Sequence, residues 1–123
     1  MVSFRTSQGR FALPVESTLA VRTMDGLVDL PAPRPDVVGV LPGDPPLSVL
    51  SPFGTGGDLV LVVVSGGVRY GLNVIEVLGV SRFDDDQVGP PPTGQAGGLI
   101  AATLHGSGEI VLVADADALA ARL

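Results

Sequence analysis

Prolines bracket two short apolar segments in the stretch LPAPRPDVVGVLPGDPPLSVLSPF, which runs from Leu30 to Phe53. The apolar segments are Val37–Leu41 and Leu47–Leu50, and each is about as long as a strand. Because a proline has a fixed φ and no backbone N–H, its neighbourhood cannot be a helix interior or a central strand. The stretch therefore predicts two short strands joined by stiff turns, against which the later apolar runs can pack.

Short apolar runs separated by turn residues also make up the chain upstream of this stretch. An opening hairpin of Val2–Thr6 and Arg10–Leu13 is predicted, with Phe4 and Phe11 as its core residues. The segment that follows is rich in β-branched residues but also has some helical spacing. We favour one brief helical turn and then a strand over Thr18–Thr23.

Downstream, the run Asp58–Val64, which is rich in β-branched valine, predicts a strand that is buried on both faces, and the SGG that follows it predicts a hairpin turn. In a terminal helix, Asp115 or Asp117 would lie near the positive end and Arg122 in the last turn, as the macrodipole favours. The remaining predictions are strands at Val68–Leu72, Gly79–Phe83, Leu99–Leu104 and Glu109–Val113, a helical turn at Asn73–Leu78, the helix at Ala114–Leu123, and loops at Leu27–Pro35 and at GPPPTGQAGG.

Nine or ten short strands with little helix indicate an all-β fold, for which barrels and sandwiches are the candidate architectures. The length of 123 residues fits one domain over residues 1–123, which buries enough surface to form a core without disulfides or a structural metal. Cysteine is absent, which excludes disulfides and cysteine metal sites and fits a reducing compartment. The longest purely apolar run, Leu59–Val64, is too short to span a bilayer, so we expect no membrane insertion and a cytoplasmic location.

The charge of the chain disfavours two classes of partner. The net charge is −6, and the seven basic residues are all arginines that stand singly along the sequence. Binding to nucleic acid needs clustered cations that neutralise phosphates, and an anionic membrane surface would repel an acidic chain. Neither a nucleic acid nor a membrane surface is therefore expected as a partner.

No pattern of catalytic, cofactor-binding or metal-binding residues stands out. The only histidine, His105, lies in HGSG and is expected to be an exposed loop residue. The run Asp84–Asp86 lacks the spacing of a calcium loop and is expected to be a solvated acidic turn. No serine lies in G-x-S-x-G, and the glycine-rich turns lack the lysine of a phosphate-binding loop. The function is therefore expected to come from a surface, without catalysis.

Five segments in order carry a resemblance to the CheW-like domain family, over essentially the whole chain. They are FALPVEST, LPAPRPDVVGV, PLSVL, DLVLVVVSGGVRYGLNVIEVLGV and GLIAATLHGSGEIVLVADADAL. The resemblance implies two small SH3-like five-stranded β-barrels that share one apolar core, with a short C-terminal helix. The whole chain, residues 1–123, would then be a single domain of two intertwined subdomains.

The same resemblance implies a non-catalytic adaptor of bacterial chemotaxis or two-component signalling, without a cofactor. Its partners would be a CheA-like histidine kinase regulatory domain and a chemoreceptor tip. The implied partner-binding residues are short-strand residues, a minority of which would face the groove between the barrels where a receptor helix lies in this family. They are Val37, Val38, Val40, Leu41 and Gly43.

One departure from the family pattern leaves alternatives open. Typical members carry G-V-x-N-L-R-G before the second short strand, whereas Gly39–Gly43 is two residues shorter and has no arginine. A divergent module of a non-chemotaxis signalling system is therefore an alternative. A third hypothesis, a small-ligand-binding β-barrel or a minor hydrolase, would need a closed apolar cavity with converging polar groups.

Overall fold

The computed structural model describes residues 1–29, 36–43, 45–54, 57–92, 98–106 and 108–123. Within these ranges the chain forms strands, two single 3-10 turns at Val15–Ser17 and Asp85–Gln87, and one short helix, α1 (Ala116–Ala120). The strands are β1 (Val2–Thr6), β2 (Gly9–Leu13), β3 (Thr18–Thr23), β4 (Val37–Leu41), β5 (Leu47–Leu50), β6 (Leu59–Ser65), β7 (Val68–Val74), β8 (Glu76–Val80), β9 (Val88–Gly89), β10 (Ile100–Gly106) and β11 (Glu109–Ala114).

The strands form two sheets with the same internal plan. The first sheet has the order β8-β1-β2-β11-β10-β9, and the second has the order β3-β6-β7-β5-β4. In each sheet two hairpins meet through one parallel pair, which is β2 with β11 in the first sheet and β7 with β5 in the second. The expected all-β class, the two small β-barrel units and the short C-terminal helix are confirmed, and the second sheet has the expected five strands, whereas β9 gives the first sheet six.

The chain crosses between the sheets after each leading hairpin. β3 follows β2 in the chain but pairs with β6 at the edge of the second sheet. In the same way β8 follows β7 but pairs with β1 at the edge of the first sheet. Each sheet is therefore completed by strands from both halves of the chain.

A shared apolar cluster lies between the two sheets. The first sheet contributes Phe4 and Phe11, and the second contributes Tyr70 and Leu72. The Phe11 ring stacks on Phe4 at 5.9 Å between centroids and on Phe53 at 4.2 Å. Burial of each such ring stabilises the fold by about 1.5–3 kcal/mol. The predicted core role of Phe4 and Phe11 is thus confirmed.

Each sheet also has a smaller cluster on its other face, because successive side chains of a strand point to opposite sides. In β6, Val60 and Val62 face the second sheet's own cluster, whereas Leu61 and Val63 face the shared one. All four are buried, as the β-branched run predicts. The two smaller clusters are Leu41, Leu47, Val49, Val60 and Val62 in the second sheet, and Ala12, Leu104, Val111 and Val113 in the first.

Several predicted boundaries are correct where turn residues flank the strand. Val37–Leu41 and Leu47–Leu50 are strands with those bounds, and they pair antiparallel. The turn between β6 and β7 consists of Gly66 and Gly67, both with positive φ, as a two-residue hairpin of this twist requires. The brief helical turn predicted before Thr18–Thr23 is also present, as a 3-10 turn at Val15–Ser17.

The predicted helical turn at Asn73–Leu78 is wrong. Asn73 is the sixth residue of β7, and its Nδ2 donates to the carbonyls of Gly57 and Leu59 at 2.9 and 3.0 Å. These two bonds hold the strand in the sheet and satisfy a buried amide. The chain then enters β8 at Glu76, so only the first two residues of the predicted strand Gly79–Phe83 are extended strand.

The terminal helix is shorter than predicted at both ends. Ala114 instead pairs with Ile100 at the end of β11. Asp115 caps the helix, since its carboxylate accepts the N–H groups of Asp117 and Ala118 at 3.0 and 3.1 Å. Arg122 lies beyond the helix and forms an ion pair with Asp36 at 2.8 Å, in place of the predicted interaction with the macrodipole.

Parts of the predicted loops lie outside the described residues. These are residues 30–35 of the loop Leu27–Pro35, residues 93–97 of the segment GPPPTGQAGG, and Ser107 in the turn between β10 and β11. Among the described residues, no helix is long and apolar enough to cross a membrane.

Candidate interaction surface

The five residues implied as partner-binding are divided between the core and the surface. Val37 is 7% exposed and belongs to the shared cluster, and Leu41 is fully buried in the cluster of the second sheet. Val38 and Val40 are half-buried, and Gly43 is exposed after the end of β4. Only the last three therefore offer surface to a partner in this conformation.

The edge of the second sheet at β4 is partly covered by the preceding segment. The N–H and the C=O of Val40 both pair with the backbone of Val28, each at 2.9 Å. Gly39 lies under this bridge, where a Cβ would come within 2.6 Å of the Val28 carbonyl oxygen. Only glycine fits at position 39, because the two backbones approach each other too closely there for a Cβ. This edge presents apolar side chains, while the backbone of Val40 is already paired.

A second set of exposed apolar residues lies where the chain crosses between the sheets, and we call it the crossing surface. It comprises Val15, Leu19 and Val21 around β3, and Leu78 and Val80 on β8. The most exposed of them is Val80, at 72%. Both β3 and β8 are edge strands, and such edges are natural sites for association with another protein.

Strand register and chain position place Val80 and Val15, one from each part of the crossing surface, at the same end of the first sheet. Val2 of β1 pairs with Leu13 of β2 on one side and with Val80 of β8 on the other. Val15 follows Leu13 by two residues, in the 3-10 turn that leads into β3. The exposed side chains of this end therefore flank the point where the chain passes from one sheet to the other.

The sequence interpretation missed the crossing surface. Alternation of Leu19 and Val21 with Ala20 and Arg22 predicts a strand, but it does not say whether that strand lies at the edge of a sheet or in the middle. Leu78 fell in the segment misread as a helical turn. The one available signal was the alternation itself, which is typical of a strand with a solvated face.

His105 and the acidic run Asp84–Asp86, which the sequence singled out as ionisable residues, make contacts that serve the fold. His105 lies in β10, not in the predicted loop, and its Nε2 is 3.2 Å from the Thr103 hydroxyl. The acidic turn is exposed, and the N–H of Asp84 donates to the Gln87 side chain at 2.9 Å. Among the described residues, no three His, Asp or Glu side chains are grouped as metal ligands would be.

Tyr70 is a buried ionisable residue whose surroundings perturb its pKa. Its hydroxyl donates to the Ala116 carbonyl at 2.8 Å and so ties α1 to β7. Burial raises the pKa of the Tyr70 phenol well above its usual range, and the carboxylates of Asp117 and Asp115 raise it further. This arrangement suits a structural tie, because the phenol keeps its proton and its hydrogen bond.

Comparison with known proteins adds two findings. A family model described as the CheW-like domain matches residues 47–123, which is more than half of the chain. The crystal structure of the scaffolding protein TtCheW from Thermoanaerobacter tengcongensis is similar at a TM-score of 0.81, with 16% sequence identity, over 93% of this chain and 86% of that chain. No curated protein matches the sequence. The family match begins at β5, whereas the structural match also takes in the first half of the chain.

Proposed function

The chain belongs to the CheW-like domain family, and from this premise we propose that it is a non-catalytic adaptor in bacterial chemotaxis signalling. The observation that carries the proposal is the family match over residues 47–123. The strand plan of the first half, which completes both sheets, supports extending the proposal to residues 1–123 as one unit. The adaptor would act in the cytoplasm, through surface contacts alone.

We propose a CheA-like histidine kinase regulatory domain as the main partner and a chemoreceptor tip as a further one. The crossing surface supports this, because it offers exposed apolar side chains on one edge strand of each sheet. Each square ångström of apolar area removed from water contributes about 25 cal/mol, and a stable interface buries about 1,200 Å² or more in total. Val38, Val40 and Gly43 are the candidates for a second contact, at the other edge of the second sheet.

Calorimetric titration against the regulatory domain of a chemotaxis-type kinase from the same organism tests the proposal. We expect saturable one-to-one binding in the micromolar range, about −8 kcal/mol. Val80→Ser should weaken this binding. Ile110→Ser is the matched control, because Ile110 is also exposed but pairs with His105 near the opposite end of the first sheet. No binding by the unmodified chain would refute the adaptor role.

A divergent module of another signalling system is the second candidate. The family match begins at Leu47 and so leaves out Gly39–Gly43, the turn that is two residues shorter than the family pattern and has no arginine. On this hypothesis the chain binds the kinase domain but not a chemoreceptor tip. Insertion of two residues after Leu41, one of them arginine, should then create receptor binding. Tight receptor binding by the unmodified chain would rule this hypothesis out.

A further inference from the structure

An open groove of about 310 Å³ lies on the second sheet, on the face opposite the shared core. Ala20, Leu47 and Val62 form its apolar floor, and Arg22 and Arg69 line it with their guanidinium-bearing side chains. Gly43, one of the implied partner-binding residues, also borders it. We call this feature the arginine groove.

Strand register explains how two arginines distant in sequence reach one groove. On β3 and β6, Ala20 pairs with Val62 and Arg22 pairs with Val60. On β7, Arg69 pairs with Val64 of β6. Paired residues point to the same face of a sheet, so both arginines share the face of Val60, Val62 and Val64.

Neither arginine of the groove has an acidic partner among the described residues. The three ion pairs that this part of the chain forms use other arginines, which are Arg5 with Glu76, Arg10 with Glu109, and Arg122 with Asp36. In a chain of net charge −6, two cations on one groove that have no acidic partner among the residues described form a local site for an anion. A guanidinium binds a carboxylate through two parallel hydrogen bonds, which makes it selective for that group.

The shape of the groove favours a carboxylate on a protein segment over a carboxylate on a free small molecule. Its volume is at the low end for small-molecule pockets, and it is open to solvent, so it cannot enclose most of a free ligand. Pro45 and Pro46 form part of its wall and have no backbone N–H to donate. That wall therefore offers no backbone donor to a carboxylate, which leaves recognition of the anion to the two arginine side chains above the apolar floor.

We propose that the arginine groove docks an acidic segment of the kinase regulatory domain. Carboxylates of the segment pair with Arg22 and Arg69, and an apolar side chain between them covers the floor. This inference rests on the proposed adaptor function, and it adds to the crossing surface a further contact with the same partner, on the outer face of the second sheet, together with the chemistry of that contact. It makes the two arginines specificity-determining residues of this chain.

The test compares Arg22→Gln, Arg69→Gln and the double variant with Arg82→Gln in titrations against the kinase regulatory domain at two salt concentrations. Arg82 is the matched control, because it is exposed, has no acidic partner among the described residues and does not line the groove. Each groove substitution should raise the Kd about fivefold, and the double variant should lose much of the salt dependence. Lysine at both positions should restore the salt dependence and only part of the affinity.

The outcomes separate this inference from the adaptor function. Binding by the unmodified chain that the groove variants leave unchanged would overturn the groove assignment and leave the adaptor function standing. An equal loss in Arg82→Gln would also overturn it, because net charge alone would then explain the effect. No binding by the unmodified chain would overturn both. Thermal unfolding of each variant, which should match that of the unmodified chain, excludes misfolding as the cause.

Discussion

Tyr70 allows a clean test of how burial couples to stability at alkaline pH. It is the only tyrosine, and the chain has no cysteine and no lysine. Cysteine, tyrosine and lysine are the residue types whose reference pKa values lie nearest to the range from about pH 9 to pH 12, and of these the chain contains only Tyr70. The phenol is fully buried and donates a hydrogen bond to Ala116. A change in stability over this range can therefore be assigned to one group.

The sign and the slope follow from the raised pKa. Burial keeps the Tyr70 phenol protonated in the folded chain, whereas the unfolded chain loses the proton near the ordinary pKa of about 10. Above that pH the unfolded state binds fewer protons than the folded state, so raising the pH favours unfolding. The free energy of unfolding should be constant from about pH 9 to pH 10 and then fall by about 1.4 kcal/mol per pH unit.

Denaturant unfolding at pH 8 to 12, with absorbance of the phenolate followed near 295 nm, measures both quantities. Tyr70→Phe is the control, and its unfolding free energy should not change between about pH 9 and pH 12. At neutral pH this variant should be less stable by about 1 kcal/mol, because it lacks the hydrogen bond to Ala116. Reversible ionisation near pH 10 without loss of structure would refute the reasoning, as would an equal slope in the variant.

Three further substitutions test contacts that hold the fold together. Gly71→Ala should cost about 1–3 kcal/mol in denaturant unfolding, because a Cβ there would lie 2.5 Å from Cγ1 of Val60; no loss would mean that the sheet gives way easily. Asp115→Ala removes the helix cap and should cost about 1 kcal/mol, against which Asp115→Asn should restore most of the stability. Arg122→Gln should cost about 0.5–1 kcal/mol through its half-buried ion pair with Asp36, and a difference that persists unchanged in 1 M salt would argue against an electrostatic origin.

Strands were predictable from the sequence where chain-local chemistry decides their ends. Prolines and glycines flank Val37–Leu41 and Leu47–Leu50, and both were predicted with the bounds found. The segment from Asn73 to Val80 has only Gly71 near its N-terminal side, within the same strand, and its apolar spacing also suits a helical turn. The strand conformation is stabilised there by Asn73, whose side chain donates hydrogen bonds to two carbonyls of the neighbouring segment. A contact of this kind has no local signature in the sequence.

The candidate surface was less predictable than the fold, because exposure depends on which element lies next to a strand. Val37 and Val40 are the same residue type and have similar neighbours in sequence, but only Val37 is buried in the shared cluster. Leu19 and Val21 are exposed because β3 crosses to the edge of the other sheet, which the order of strands along the chain does not reveal. The family resemblance predicted the architecture, but only the structure shows which residues lie in the core and which lie on the surface.

The crossed arrangement of the hairpins has a consequence for how the chain is made. The first hairpin leaves the ribosome before the other strands, yet β2 is joined in its sheet to β11, which is synthesised after all of them. At about 5–20 residues per second, the apolar edge of β2 waits for several seconds or longer without its neighbour. Contacts between such distant parts of a chain also form slowly, since a long loop must close first. Folding of this protein therefore completes only after translation has reached its C-terminal hairpin, and nascent chains stalled before that point present an unpaired strand for chaperones to bind.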